Sequence, residues 1–184
     1  MITIKQVTDF SELEGTKSLQ EANLKRNLTE EDAGLEGFVT AEYTIEFLTR
    51  LHQLVPSVIA KDDDLVVGYA LAASTEIRKE HDLLGDLINN IDKIIYRDQL
   101  LKDSRYIVVG QLCVAKDYRG LGLVRRMYEH FKSCLSKDYD YCLTDVASDN
   151  PRSLKAHLKS GFSVVDTLHY GGVSWDIVLW DWTK

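Results

Sequence analysis

Gly120 and Gly122 follow an apolar run ending Gln111-Leu112-Cys113-Val114 and precede a helical pattern. Lys116, Arg119, Arg125 and Arg126 surround them, against Asp117 alone. Glycines at such a junction let the chain curl, and the first amides of a helix have no internal partner. Unpaired amides at the positive end of a helix dipole, among cations, make a phosphate site. An ordinary strand-to-helix turn uses glycines in the same way, so the signal needs its context. A dinucleotide fingerprint requires a third glycine three residues after Gly122, where Arg125 stands. No Gly-x-x-x-x-Gly-Lys-Ser/Thr run occurs, which excludes a nucleotide P-loop. What remains is a loop with few glycines and flanking arginines, suited to a pyrophosphate.

A second chemical signal is Asp145, a carboxylate among Tyr141, Cys142, Leu143 and Val146. A charge on an apolar strand is unexpected unless it is paired, caps the following loop or works chemically. Cys113, Cys134 and Cys142 are odd in number, lie in apolar surroundings and lack metal-ligand spacing, so they read as packed, reduced thiols. No metal site is expected.

The elements that must position these residues follow from periodicity. Ile2–Val7 alternates like a strand, and 11–28, 31–38 and 44–54 read as helices. Strands at 57–61 and 65–73 flank Asp62-Asp63-Asp64 as a hairpin. Apolar residues at 83, 84, 87, 88, 91, 94 and 95 predict a helix over 83–95. A strand at 106–115, a helix at 122–136 and a strand at 141–147 come next. Asn150-Pro151 opens a further helix, with Asn as N-cap and Pro at its first position, and Gly161 suits the left-handed residue that ends it. Segments 162–168 and 173–182 alternate around Gly171-Gly172 as a hairpin. One domain over 1–184 is expected, with a helical insertion at about 74–104.

The chain has 184 residues, a formal charge of −7 and 45% hydrophobic residues, enough for a substantial core. An acidic balance argues against nucleic acid, which calls for a cationic face. The longest apolar stretch, Leu65–Ala73, is too short to span a bilayer, and Met1-Ile2-Thr3-Ile4-Lys5 does not open like a signal peptide. A cytoplasmic protein without membrane association is expected. Its basic island at 116–126 leaves the rest of the chain more acidic still, which suits an anionic cofactor and favours a cationic acceptor.

Arg119, Gly122 and Val124 line up with the Arg/Gln-x-x-Gly-x-Gly/Ala loop of the GCN5-related N-acetyltransferase (GNAT) family, with Val124 departing from Gly/Ala. Asp145-Val146-Ala147-Ser148-Asp149-Asn150, Ala156-His157 and Gly161-Phe162 are similar to that family's next strand, Asn-initiated helix and closing Gly-Phe. The chain therefore resembles this family clearly over 106–168. Within the family it looks similar to uncharacterised members with a Gly-Phe-Val-Thr segment, here Gly37–Thr40, and with Gly110–Val114. The resemblance implies an α/β (α+β mixed) fold, a twisted, mostly antiparallel sheet of six to seven strands flanked by helices, with two splayed parallel central strands.

It further implies acetyl-CoA as co-substrate. Amides of Leu112, Cys113 and Val114 would hold the pantetheine arm and thioester oxygen, those of Arg119, Gly120, Leu121, Gly122, Leu123 and Val124 the pyrophosphate, and Asn150 the arm. A primary amine of a small molecule or peptide would attack directly, through a tetrahedral oxyanion. Asp145 sits where some members carry a catalytic glutamate and is the expected base. Gln111 stands at another base position of the family but cannot take a proton, so it would orient substrate or water. His157 falls where the family places a tyrosine acid and would protonate the leaving thiolate. The segment 74–104 would shape acceptor access, cover a sheet face or form a homodimer contact. Two rival readings are a catalytically silent acyl-CoA-binding or interaction domain of the same fold and a dinucleotide enzyme.

Overall fold

The computed structural model describes residues 1–28, 39–170 and 172–184; the helix expected at 31–38, Gly37 and Phe38 of the Gly37–Thr40 segment, and Gly171 lie outside them. Among the described residues, β1 (Ile2–Gln6) leads to α1 (Phe10–Ala22) and α2 (Ile45–Leu54). A hairpin of β2 (Val58–Asp62) and β3 (Leu65–Ala73) follows. Segment 74–104 then forms a 3₁₀ turn at Thr75–Lys79, α3 (Asp82–Ile91) and a short hairpin of β4 (Ile95–Tyr96) and β5 (Gln99–Leu100). β6 (Tyr106–Val114), α4 (Leu123–Leu135), β7 (Tyr141–Ala147), α5 (Pro151–Lys159), β8 (Ser163–Tyr170) and β9 (Val173–Asp181) complete it.

Seven strands form one sheet in the order β1-β2-β3-β6-β7-β9-β8, and every pairing is antiparallel except β6–β7. The expected mixed sheet with one parallel central pair is therefore present. β3 is apolar without alternation because both its faces are covered. On one face Leu13, Leu48, Leu51, Ile88 and Ile91 pack from α1, α2 and α3; on the other, Met127, Tyr128 and Phe131 pack from α4. No helix of the described residues is long and apolar enough to cross a membrane.

Two helices end earlier than periodicity suggests. α1 stops at Ala22 because the next peptides pair elsewhere: the Asn23 carbonyl accepts from the Val39 amide at 3.1 Å, and the Lys25 amide donates to the Val39 carbonyl at 3.0 Å. α3 stops at Ile91, and Ile95 enters the β4–β5 hairpin instead. Arg97 and Asp98 turn that hairpin with φ of 50° and 64°, a geometry whose usual sequence signal is glycine or asparagine. Tertiary contacts hold it: Arg97 pairs with Asp181 at 2.9 Å, and the Tyr96 hydroxyl donates to Asp181 at 3.1 Å. α3 lies so close to the preceding turn that a Cβ on Gly85 would sit 2.2 Å from the Arg78 carbonyl oxygen.

Glu12 ties α1 to the sheet edge. Its buried carboxylate accepts from Lys5 at 2.6 Å, Lys61 at 3.1 Å and the Thr8 amide at 2.9 Å. Burial alone would raise its pKa, but the bonds from Lys5, the Thr8 amide and Lys61 outweigh it and hold the carboxyl at about 2. A depressed pKa gives stability that is complete above the ordinary value of 4.5 and is lost as pH falls toward 2. Glu12→Gln is expected to cost about 2 kcal/mol in urea unfolding at pH 7, with the difference shrinking across that acid window. Gly85→Ala is expected to cost about 1–3 kcal/mol, measured the same way, because the new methyl must displace backbone.

Candidate active site

β6 and β7 pair in parallel only at Tyr106–Val108 with Tyr141–Leu143, and beyond that they part. The divergence coincides with an irregularity in β6. Its register with β3 slips between Leu71↔Gln111 and Ala72↔Val109, so Gly110 is the extra residue of a bulge. Side chains satisfy the carbonyls stranded at the fork: the Thr144 hydroxyl donates to the Val109 oxygen at 2.7 Å, and the Tyr43 hydroxyl to the Gly110 oxygen at 3.1 Å. The Ala115 amide donates back to Val67 on β3 at 2.9 Å. Because strand amides alternate, those of Leu112 and Val114 point away from β3 and into the fork.

On one side of the fork lies a cleft of about 600 Å³ between the β6–α4 loop and α5. Its left-handed loop glycines, Gly120 at φ 81° and Gly122 at φ 72°, have open space where a Cβ would stand. Gly122 is the N-cap of α4 and contributes no side chain to cap it, so the first-turn amides at Leu123, Val124 and Arg125 are available at the wall. Arg119 braces the loop, donating to the Val114 carbonyl at 2.9 Å and to Asn23 Oδ1 at 2.7 Å. Leu112, Cys113, Val114, Arg119, Gly120, Gly122, Leu123, Val124 and Asn150 all line this cleft, whereas Leu121 is exposed and lies off it. Burial pushes the Cys113 thiol up to about 12, so it stays protonated. Of the cations singled out by sequence, Arg119 and Arg125 reach the wall; Arg126 instead donates to the Ile2 carbonyl at 2.9 Å. Arg152, Lys155 and Lys159 supply the rest from one face of α5, and no acidic side chain among the described residues lines the cleft. Their three- and four-residue spacing was visible in the sequence as a helical stripe.

On the other side lies a cavity of about 240 Å³, walled by the ends of β6 and β7, by α3 and by the β8–β9 hairpin. Asp145 lies in it, half-buried, and burial pushes its pKa up from 3.8 to about 6. It forms no ion pair with a described residue. Tyr43 shares this wall; burial first, and the nearby Asp145 charge second, hold its hydroxyl protonated far above the ordinary tyrosine value. Sequence reading did not single out Tyr43, and no local signal marks it. Asn150 lines both spaces and caps α5, its Oδ1 accepting from the Ser153 amide at 3.2 Å.

Gln111 and His157 line the cavity but are occupied in ways that change their reading. Gln111 Oε1 accepts from Tyr69 at 2.7 Å and from Gln20 at 3.0 Å, and its Nε2 donates to the Ala41 carbonyl at 2.8 Å. The Gln20 Oε1 in turn accepts from the Tyr43 amide at 2.8 Å. Gln111 therefore pins the Tyr43 segment rather than offering a free amide. His157 is buried against Tyr128 and Phe162, and its Nδ1 lies 2.8 Å from the Ser153 carbonyl. A carbonyl only accepts, so the proton is assigned to Nδ1, which leaves Nε2 without one. Burial holds its pKa down to about 4. The expected proton donor is thus a neutral ring with its proton committed to the helix backbone. Among the described residues no group of three or more His, Cys, Asp or Glu is placed to hold a metal.

A sequence model of the acetyltransferase (GNAT) family matches residues 24–162. No curated protein sequence matches the chain. Among solved structures, the NatC complex bound to Gag peptide and CoA is similar at 14% identity and a TM-score of 0.65, covering 98% of each chain. NAA60 of Arabidopsis thaliana in complex with acetyl-CoA is similar at 17% identity and a TM-score of 0.65, over 98% of this chain and 99% of that one. The ribosomal-protein-S18-alanine N-acetyltransferase of Escherichia coli is similar at 12% identity and a TM-score of 0.63, over 98% and 94%. At these identities the likeness shows the fold.

Asp145 binds its proton more tightly folded than unfolded, so its ionisation costs stability above about pH 6 and nothing below 3.8. Asp145→Asn is expected to raise unfolding free energy by about 2 kcal/mol at pH 8, discounted for its partial exposure. Urea titrations repeated down to pH 3.8 should show that gain fade.

Proposed function

Because the chain belongs to the GNAT acetyltransferase family, we propose that it moves an acetyl group from acetyl-CoA to a primary amine of a small molecule or peptide. The observation that carries this reading is the fork itself. Strand amides at Leu112 and Val114 face open space, with a cationic cleft on one side and an unpaired, proton-hungry carboxylate on the other.

The first-turn amides of α4 and the Arg119–Gly122 loop receive the pyrophosphate, with Lys155 and Lys159 adding charge from α5. The Leu112 and Val114 amides hold the pantetheine arm opposite Asn150 and place the acetyl carbonyl at the fork. A strand amide there stabilises the oxyanion that develops as nitrogen attacks. The acceptor enters from the smaller cavity as an ammonium, and Asp145 takes one of its protons so that the nitrogen becomes nucleophilic. The N–C bond forms and the C–S bond breaks. The second proton leaves the attacking nitrogen and ends on the departing thiolate, while Asp145 returns its own to solvent. Gln111 and Tyr43 act by holding the acceptor wall, and His157 by packing α5 against α4. Segment 74–104, read as an insertion into one domain, contributes α3 to the same wall.

Release of free CoA thiol with a panel of amines tests this. Asp145→Asn is expected to lower kcat by about 10²-fold or more with the KM for acetyl-CoA unchanged. The rate limb that rises through about pH 6 should disappear in that variant. Joint Lys155→Glu and Lys159→Glu substitution should instead raise the KM for acetyl-CoA. Binding of acetyl-CoA with no thiol release from any amine would leave a silent acyl-CoA-binding domain.

A further inference from the structure

The cavity that holds Asp145 is also lined by a second carboxylate, Asp86 on α3. α3 buries Leu84, Ile88 and Ile91 in the core, and its neighbouring stripe of Leu83, Asp86, Leu87 and Asn90 lines the cavity. Those positions are spaced three and four residues apart, so they share one helix face. Asp86 is exposed to the cavity mouth and forms no ion pair with a described residue. Leu83 and Leu87 of α3 and Leu168 and Trp175 of the β8–β9 hairpin give the cavity apolar surface, beside polar groups such as Thr144 and Asn150. No lysine or arginine among the described residues lines this cavity, whereas the neighbouring cleft is lined by cations and no acid. His157, one of its two histidines, is held neutral by burial; the other, His169, shares a hydrogen bond with Ser174 at 2.8 Å.

We infer that the acceptor is an alkyl diamine, one amine meeting Asp145 at the fork and the second, as an ammonium, meeting Asp86 on α3. This deepens the acyl-transfer reading and rests on it. A volume of 240 Å³ exceeds the roughly 150 Å³ of a cavity that takes benzene, so a small flexible amine fits inside. The leucines and Trp175 of the lining offer apolar surface to the methylene chain, and burial of that chain is favourable. An ω-amino acid of the same length brings a carboxylate to Asp86, and like charges there disfavour it. A monoamine fills the cavity but leaves Asp86 without a counter-charge.

The test compares cadaverine, n-pentylamine and δ-aminovalerate by calorimetric titration of the CoA-loaded protein, alongside thiol release with acetyl-CoA. Cadaverine is expected to bind about fivefold more tightly than n-pentylamine, the scale of an exposed ion pair, with δ-aminovalerate weakest. Asp86→Asn should abolish that preference, and added salt should narrow it. Equal binding of cadaverine and n-pentylamine overturns the inference, as does a preference that survives Asp86→Asn, or binding of a peptide amino terminus where the diamine fails. If the diamine binds through Asp86 but is not acetylated, the acceptor class stands and the transfer reading falls. Acetylation of other amines with no diamine preference does the reverse.

Discussion

The separation of β6 from β7 is the constraint on which the rest of the molecule depends. A parallel pair opened in the middle of a sheet strands backbone groups that a continuous ladder would satisfy. Here the two carbonyls at the branch are closed by hydroxyls, Thr144 on Val109 and Tyr43 on Gly110. The amides of Leu112 and Val114, one step further on, are left facing the opening. A buried network of Gln20, Gln111 and Tyr69 keeps the Tyr43 hydroxyl in reach, because Gln111 holds the Ala41 carbonyl and Gln20 the Tyr43 amide.

The opening also divides charge. Leu112, Asn150 and Ser153 line both spaces, so the two cavities meet along a shared wall. Basic side chains on α5 and the β6–α4 loop face one of them, and Asp86 and Asp145 face the other. An anion and a cation entering from opposite sides would each approach a wall of complementary sign, and such arrangements steer encounter as well as hold ligands. Acetyl-CoA and an ammonium have those signs.

The parts legible in the sequence are those with local causes. The loop glycines, the Asn150 N-cap, the unbroken apolar β3 and the strand bearing Asp145 all carry their signals within a few residues. What escaped reading depends on distant partners. Gln111 looked like a substrate-orienting residue until Gln20, 91 positions away, was seen bonded to it. His157 looked like a donor because nothing in its neighbourhood announces how deeply α5 packs against α4. The β4–β5 hairpin turns on Arg97 and Asp98, whose left-handed backbone is held by Asp181 rather than by residue type. The α1 pattern ran on to Leu28 because apolar spacing cannot register that Val39 claims the peptides after Asn23.

Strand order has a consequence for how the site comes into being during synthesis. β7 pairs along its whole length with β9, Asp145 opposite Ile177, although β8 comes first in the chain. While β9 is still within the ribosome, β7 has a bare edge along the side that β9 will cover, and Asp145 sits on a strand not yet fixed in register. The nascent chain therefore carries the cationic β6–α4 loop before β8 and β9 complete the wall of the smaller cavity. The smaller cavity is complete only once β9 is in place, and the same strand covers an edge of β7 that would otherwise be open to pairing with another chain.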